Sequence, residues 1–491
     1  MLAGVSFGIL GCGNSGSTSD ADLEKLLRSN NLTGDILKGK IIPKITDVKA
    51  QLGMNLFFSK SLGADRDSAC VSCHHPMLGG GDRLSLPIGT GAVTPNLLGE
   101  GRLHNVSAPH HDGGPTVPRN APTTFNMLGW KHALFHDGRI EHIMSENGIS
   151  TPDSGHDIVD PLGTANLASA QSRFPITSPE EMKGFNHEDK DNQAIREYVA
   201  SRIGGYGEAK DELTDTDYWL KQFQIALTKP QGTAQELITE QNIAMLLGEY
   251  ENSQAFTNSP WKEYVEGNKS AISESAKKGA LLFFNPISEG GADCVHCHSG
   301  DLFSDELFHN VAMPQIGRGK GDGDAGIEDF GRFDVTGEEQ DRYKFRTPSL
   351  LNVEVTGPWG HDGAYTSLEA MVKHMSNPKE AMKSYDVKQL TQIGIQNLDK
   401  MAVNTNKAIN QLEKDRVAKL DVLEDSNLSD SEVEDVVSFL RTLTDSCVLD
   451  ETCLKQWVPK VDLDPNGNQL DAVDKKGNIL GLKQIYSTFL G

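Results

Sequence analysis

The chain has 491 residues, 37% of them hydrophobic, and a formal charge of −23. This length suits two or three domains with real cores, and such acidity excludes the basic footprint that nucleic-acid binding requires. Beyond the N-terminus no stretch approaches the roughly 18 consecutive apolar residues of a membrane-spanning helix.

In chain order, Met1 to Leu10 is apolar and small, and Leu10-Gly11-Cys12 has the form of a lipobox with Cys12 as the acylated residue. Gly13 to Asp20 is a Gly/Ser tether of the flexible kind. Residues 1–21 are therefore expected to be signal and tether, with the protein held at a membrane only by lipid, in the periplasm and on the outer membrane. Leu56-Phe57-Phe58 precedes Cys70-Val-Ser-Cys73-His74. A long Gly/Pro/Asp-rich loop, Gly79 to Pro118, leads to Arg119-Asn-Ala-Pro122 and then His136-Asp-Gly138. Asn242 to Tyr250 and Glu274 to Phe284 carry helical spacing of apolar residues. The second of these ends on Leu282-Phe283-Phe284 and leads to Cys294-Val-His-Cys297-His298. Another loop, Gly317 to Asp329, precedes Arg346-Thr-Pro348 and His361-Asp-Gly363. Thr366-Ser-Leu-Glu369 fits a capping box, opening a helix with Leu368, Met371, Val372 and Met375 along one face. No segment shows sustained strand alternation.

Cys70 to His74 and Cys294 to His298 both fit C-x-x-C-H, the attachment signature of haem c. Two thiols at this spacing reach the two vinyl groups of one porphyrin, and the adjoining His becomes an axial ligand. Two covalently bound haems follow, with His74 and His298 as iron ligands. The surroundings are repeated. Cys294 lies 224 residues after Cys70, Pro348 lies 226 after Pro122, and His361 lies 225 after His136. So constant a displacement predicts a mainly α chain of two tandem cytochrome c-like haem domains with long loops. Residues 22–231 are expected to hold the first haem, 232–445 the second, and 446–491 to form a tail packed on the body. Of seven cysteines, only Cys447 and Cys453 are then unassigned, and they can close a small disulfide of the kind that persists outside the cytoplasm.

These motifs, with Gln171, Pro175 and Glu181-Met182 between them, resemble the bacterial di-haem cytochrome c peroxidases and their MauG-like relatives from about Leu52 to Leu443. The resemblance implies that the N-terminal haem reacts with hydrogen peroxide and that the C-terminal haem relays electrons to it. It implies Met375, 17 residues after Pro358, as the far-side ligand of the second iron, with Met371 as the fallback one turn earlier. It implies Glu181 as the general acid-base, with Gln171 and Pro175 lining its pocket and Glu180 as the neighbouring register. It also implies one calcium ion held by the Asn120 side chain and the carbonyls of Thr356 and Pro358. Two departures stand out. Relatives that need reductive activation carry a distal His where this chain has Thr90, followed here by an insertion with His104, His110 and His111. Relatives also place a Trp between the haems where this chain has His136, with Trp130 six residues earlier.

The resulting expectation is a cytochrome c peroxidase that draws electrons from a small redox protein such as a cytochrome c or a cupredoxin, in a family whose members are often homodimers. A MauG-like enzyme that oxidises a Trp or Tyr of a partner protein is the second reading. A non-catalytic two-haem electron carrier is the third.

Overall fold

The computed structural model describes residues 18–481, apart from 109, 164–165, 421 and 461–463. Cys12 and the rest of the expected leader and tether up to residue 17 lie outside the described residues, as do 461–463 and 482–491 of the expected tail.

Two helical cores carry the fold. In the first, helix Val48–Phe57 packs along helix Glu240–Asn252. Leu52, Leu56, Phe57, Leu246, Leu247 and Tyr250 are all but fully buried there, beside Trp219 and Phe223 of helix Asp217–Ala226. In the second, helix Glu274–Phe284 packs along helix Asp430–Arg441, and Trp261, Phe283, Phe284, Phe303 and Phe439 interlock in edge-to-face and tilted contacts. The same device closes both helix pairs. A Cβ on Gly53 would lie 1.9 Å from the Leu246 carbonyl oxygen, and one on Gly279 would lie 1.9 Å from that of Asp435. Only glycine permits so close a crossing. Each glycine stands three residues before its Leu-Phe-Phe, so the duplication includes the crossing point as well as the haem motif.

Core membership departs from the expected division of the chain. Leu237, Ile238, Ile243 and Leu247 belong to the first core, so a boundary at 231/232 would strip that core of the helix its haem-bearing half packs on. The N-terminal helix Thr18–Ser29 crosses to the second core, where Leu23 and Leu27 join the cluster that holds Trp261 and Ala276. Asp20 accepts a hydrogen bond from the Tyr264 hydroxyl at 3.0 Å and pairs with Lys277 at 2.9 Å. The segment after Leu443 returns to the first core. Cys447 and Cys453 form a disulfide, the Tyr250 hydroxyl donates to the Trp457 carbonyl, and the Leu470 amide donates to the Phe58 carbonyl.

Strands among the described residues are short. Ala133–Leu134 (β1), Ile140–Ile143 (β2) and Gly148–Ser150 (β3) form one antiparallel sheet, and Phe308–His309 (β4) pairs with Phe345–Arg346 (β5). The capping residue of helix Leu368–Ser376 is one position later than the sequence pattern indicates. Ser367 accepts from the Ala370 amide and donates to Glu369, whereas the Thr366 hydroxyl is taken by the Gln389 carbonyl. A long-range contact has claimed the residue that local pattern favours.

One buried cation ties the halves together. Arg119 donates to Asp137 on its own side and makes a two-pronged pair with Asp329 of the second half, both bonds at 2.7 Å. All three are at least 95% buried. The facing carboxylates hold the arginine fully charged, and the Arg139 and Arg119 guanidiniums hold Asp137 far below the usual carboxylate range. Removing one partner from a buried pair costs about 3–5 kcal/mol. Arg119→Met is therefore expected to lower unfolding stability by about that amount at neutral pH. A carboxylate whose folded pKa is depressed stabilises above its unfolded value and loses that stabilisation as pH falls. The deficit of the variant should thus shrink below about pH 4, as denaturant unfolding at several pH values would read. A variant as stable as the parent at pH 7 would sink this account.

Candidate functional site

The two C-x-x-C-H motifs open onto one continuous cavity between the cores. Short 3-10 turns, Cys70–Ser72 and Cys294–His296, present their thiols to it. The four thiols carry no disulfide. His74 Nδ1 lies 3.2 Å from the Gly80 carbonyl oxygen, and His298 Nδ1 lies 2.9 Å from that of Phe303. A carbonyl only accepts, so Nδ1 carries the proton and the Nε2 lone pair is left for a metal. Burial pushes both imidazoles toward the neutral, ligating form. Paired thiols, a polarised imidazole and apolar walls are the donor set of a haem c, and the chain provides it twice.

At the first motif the cavity is lined by Glu181, Gln171 and Pro175, together with Met182 and Arg139. Glu181 sits in a π-helical turn, Pro179–Lys183, a distortion often found at functional sites. The turn separates the two consecutive acids. Glu181 faces the cavity, while Glu180 accepts from the Ser178 hydroxyl and points toward Arg318, 3.8 Å away. Burial raises the Glu181 pKa, against the opposing pull of Arg139 and Lys320. The Ile88 to Gly91 strip is clamped against this turn. The Thr90 amide donates to the Glu180 carbonyl and its hydroxyl to the Pro179 carbonyl. A Cβ on Gly89 would lie 2.3 Å from the Glu180 oxygen.

Thr90 and the three histidines of the insertion do not line the cavity. His104 is buried, with Nδ1 3.0 Å from the Gly114 carbonyl oxygen, and packs on His111. His110 stacks on Phe185 and lies 3.1 Å from Glu188. His104 and His111 are thus engaged within their own loop, and His110 against the segment that holds Phe185 and Glu188.

At the second motif the cavity wall includes Met371, Val372 and Met375 of helix Leu368–Ser376. Val372 shares the core that packs on Cys294. His374, between the methionines, is fully buried and turned away, bonded to the Tyr365 hydroxyl and the Val311 carbonyl. Between the two ends lie Asn120, Thr356 and Pro358, all lining the cavity. The Asn120 amide nitrogen donates to the Leu84 and Ser85 carbonyls, which leaves its oxygen available to a hard cation. His136 and Trp130 line the same stretch. His136 Nε2 donates to the Asn120 carbonyl, burial pushing its pKa down to about 4, and the Arg346 guanidinium lies 3.7 Å above the Trp130 ring. Phe345 and His361 stack at 3.7 Å close by.

Two lining residues were missed in the sequence. Glu251 is 4% exposed, its Oε2 has no hydrogen-bond partner, and burial pushes its pKa up to about 8. It ends an ordinary amphipathic helix, so no local pattern marks it. Arg139 stood in view as the residue after His136-Asp-Gly138; its place over the Phe135 ring, beside Asp137 and facing Glu181, is a tertiary matter.

Residues 47–270 match the family model described as di-haem cytochrome c peroxidase. The methylamine utilization protein MauG of Methylorubrum extorquens is 27% identical over 76% of this chain and 82% of its own length. The cytochrome c551 peroxidase of Nitrosomonas europaea is 25% identical over 68% and 74%. Among solved structures, a MauG-like protein associated with microbial copper homeostasis aligns with a TM-score of 0.52 at 20% identity, over 84% of this chain and 93% of that one. The diheme peroxidase BthA of Burkholderia thailandensis aligns at 0.50 and 19%, over 89% and 92%. These two share the fold. With both haem motifs facing one cavity and relatives in both the peroxidase and the MauG groups, the chain is similar to the di-haem cytochrome c peroxidase family, most directly across residues 47–270.

Proposed function

We propose that this protein reduces hydrogen peroxide to water at its N-terminal haem, with electrons relayed by the C-terminal haem from a small redox protein such as a cytochrome c or cupredoxin. The observation that carries the reading is Glu181, which lines the His74 end of the cavity while Glu180 turns outward. The two haems, when bound, supply the redox-active iron. The chain supplies the proton chemistry. Peroxide, two electrons and two protons give two waters. Glu181 takes the proton from one peroxide oxygen and returns it to the departing one, the role of a positioned general acid-base. Gln171 orients the peroxide, and Pro175 narrows the pocket against water. Met375 is the thioether that favours the reduced state of the second haem. The engaged loop histidines support a first haem open to peroxide at rest. The charge of −23 suits a donor with a basic docking patch, because complementary fields speed encounter. Calcium at Asn120, Thr356 and Pro358, a lipid anchor at Cys12 in the periplasm, and a homodimer belong to the same proposal.

The second reading, oxidation of a Trp or Tyr on a partner protein, is favoured by the two MauG proteins among the relatives, at 27% and 26% identity. A mass change in a partner after incubation with peroxide and this protein would support it over simple peroxide reduction.

Glu181→Gln is expected to lower kcat for peroxide by about 10²–10⁴-fold, with both haems still covalently attached. Because burial raises the Glu181 pKa, and the base form is required, the parent's rate should rise with pH through a value above the ordinary 4.5 of glutamate. Undiminished turnover in the variant would overturn the assignment. Electron paramagnetic resonance of the ferric protein should show one high-spin and one low-spin haem. Met375→Leu should abolish the low-spin His/Met signal and lower that haem's potential; an unchanged spectrum would move the ligand to Met371. Two low-spin signals in the parent would mean that a loop histidine reaches the first iron.

A further inference from the structure

The small sheet whose first two strands flank His136 carries soft donors with no part in the cavity. β1 and β2 are antiparallel, with Ala133 opposite Glu141, and the His142 amide donates to the His132 carbonyl at 2.7 Å. His132 and His142 are thereby directly opposite one another. Side chains so placed rise from the same face with Cβ atoms about 5 Å apart. Met144 follows His142 by two residues, and its Sδ lies 3.0 Å from His142 Nδ1. The face is the one that carries Ile140 and Leu134, both buried; beyond them it emerges into solvent. Met144 is 67% exposed, so its thioether has no role in the core. Glu141 lies on the opposite face, paired with Arg332 at 2.6 Å.

From this juxtaposition we propose that His132, His142 and Met144 form a surface site for a single cuprous ion. Two imidazoles and a thioether on a sheet rim are a soft, low-coordinate donor set. Thioether sulfur selects Cu(I), whereas zinc prefers four nitrogen, thiolate or carboxylate donors. No charge is buried and no covalent or redox step is involved: the ion replaces the His142–Met144 contact. The short strand places the two imidazoles, and the turn after Ile143 brings the thioether alongside. The site is independent of the peroxide reading, since none of the three residues lines the haem cavity.

The test uses the haem-loaded protein, fully reduced with ascorbate under anaerobic conditions and dialysed against Cu(I) buffered by a chromogenic chelator. Metal is counted by atomic absorption. The parent should retain one copper more than the double variant His132→Asn/His142→Asn. Met144→Leu should weaken Cu(I) retention by about tenfold or more, a change of roughly 1.4 kcal/mol, without altering weak Zn(II) retention. X-ray absorption at the copper edge should show one sulfur and two nitrogen neighbours. Equal copper in the parent and the double variant would overturn the site. Retention in Met144→Leu equal to the parent's, or a spectrum without sulfur, would overturn the cuprous assignment. These substitutions lie at an exposed rim, and haem content and helical circular dichroism of each variant confirm its fold.

Discussion

A guanidinium with no water to solvate it must be answered by carboxylates, and Arg119 is answered from both halves of the chain. Asp137 belongs to the first His-Asp-Gly motif and Asp329 to the loop before the second. Neither half can bury its share of this charge alone, because an unpaired buried ion costs several kcal/mol. The ion pair therefore fixes the two haem motifs relative to one another. It also fixes the wall between them, since Asn120 follows Arg119 and His136 precedes Asp137 in sequence, and both line the cavity.

Around that constraint, the duplicated framework sets the cavity's two ends. Gly53 and Gly279 let a partner helix approach to backbone contact, and the Leu-Phe-Phe that follows each turns apolar bulk toward the haem motif. The ends are then made unlike by what faces them. The first receives an acid held in a π-helical turn, with Arg139 and Lys320 in its field. The second receives the methionines of helix Leu368–Ser376. On the function proposed above, an acid-bearing end and a thioether-lined end joined by one cavity are the asymmetry that a two-electron reduction with an internal relay requires.

Protonation in the interior follows from desolvation. Burial holds His74, His298, His136, His361 and His374 on the neutral side and lifts Glu181 and Glu251 upward. Asp137 and Asp329 go the other way because guanidiniums face them, Arg139 and Arg119 at Asp137 and Arg119 at Asp329. The cavity thus offers neutral imidazoles and carboxyl groups whose protonated form burial favours.

What the sequence by itself determined is whatever short spacing dictates. Cys70 to His74 and Cys294 to His298 define haem attachment within five residues each, and their displacement by a constant interval discloses the duplication. Helix Glu274–Phe284 follows from apolar periodicity, and Cys447–Cys453 from the absence of any other thiol left to pair. The tertiary structure decided what depends on contacts between distant residues. It turned Glu181 inward and Glu180 outward, because consecutive residues on a helical turn point about 100° apart and only the packing of Pro179–Lys183 decides which of them faces the cavity. It engaged His104, His110 and His111 through Gly114, Phe185 and Glu188. It gave the Thr366 hydroxyl to Gln389, shifting the cap to Ser367. It assigned helix Glu240–Asn252 to the first core and helix Thr18–Ser29 to the second, since an amphipathic face records that it will be buried but not against which partner.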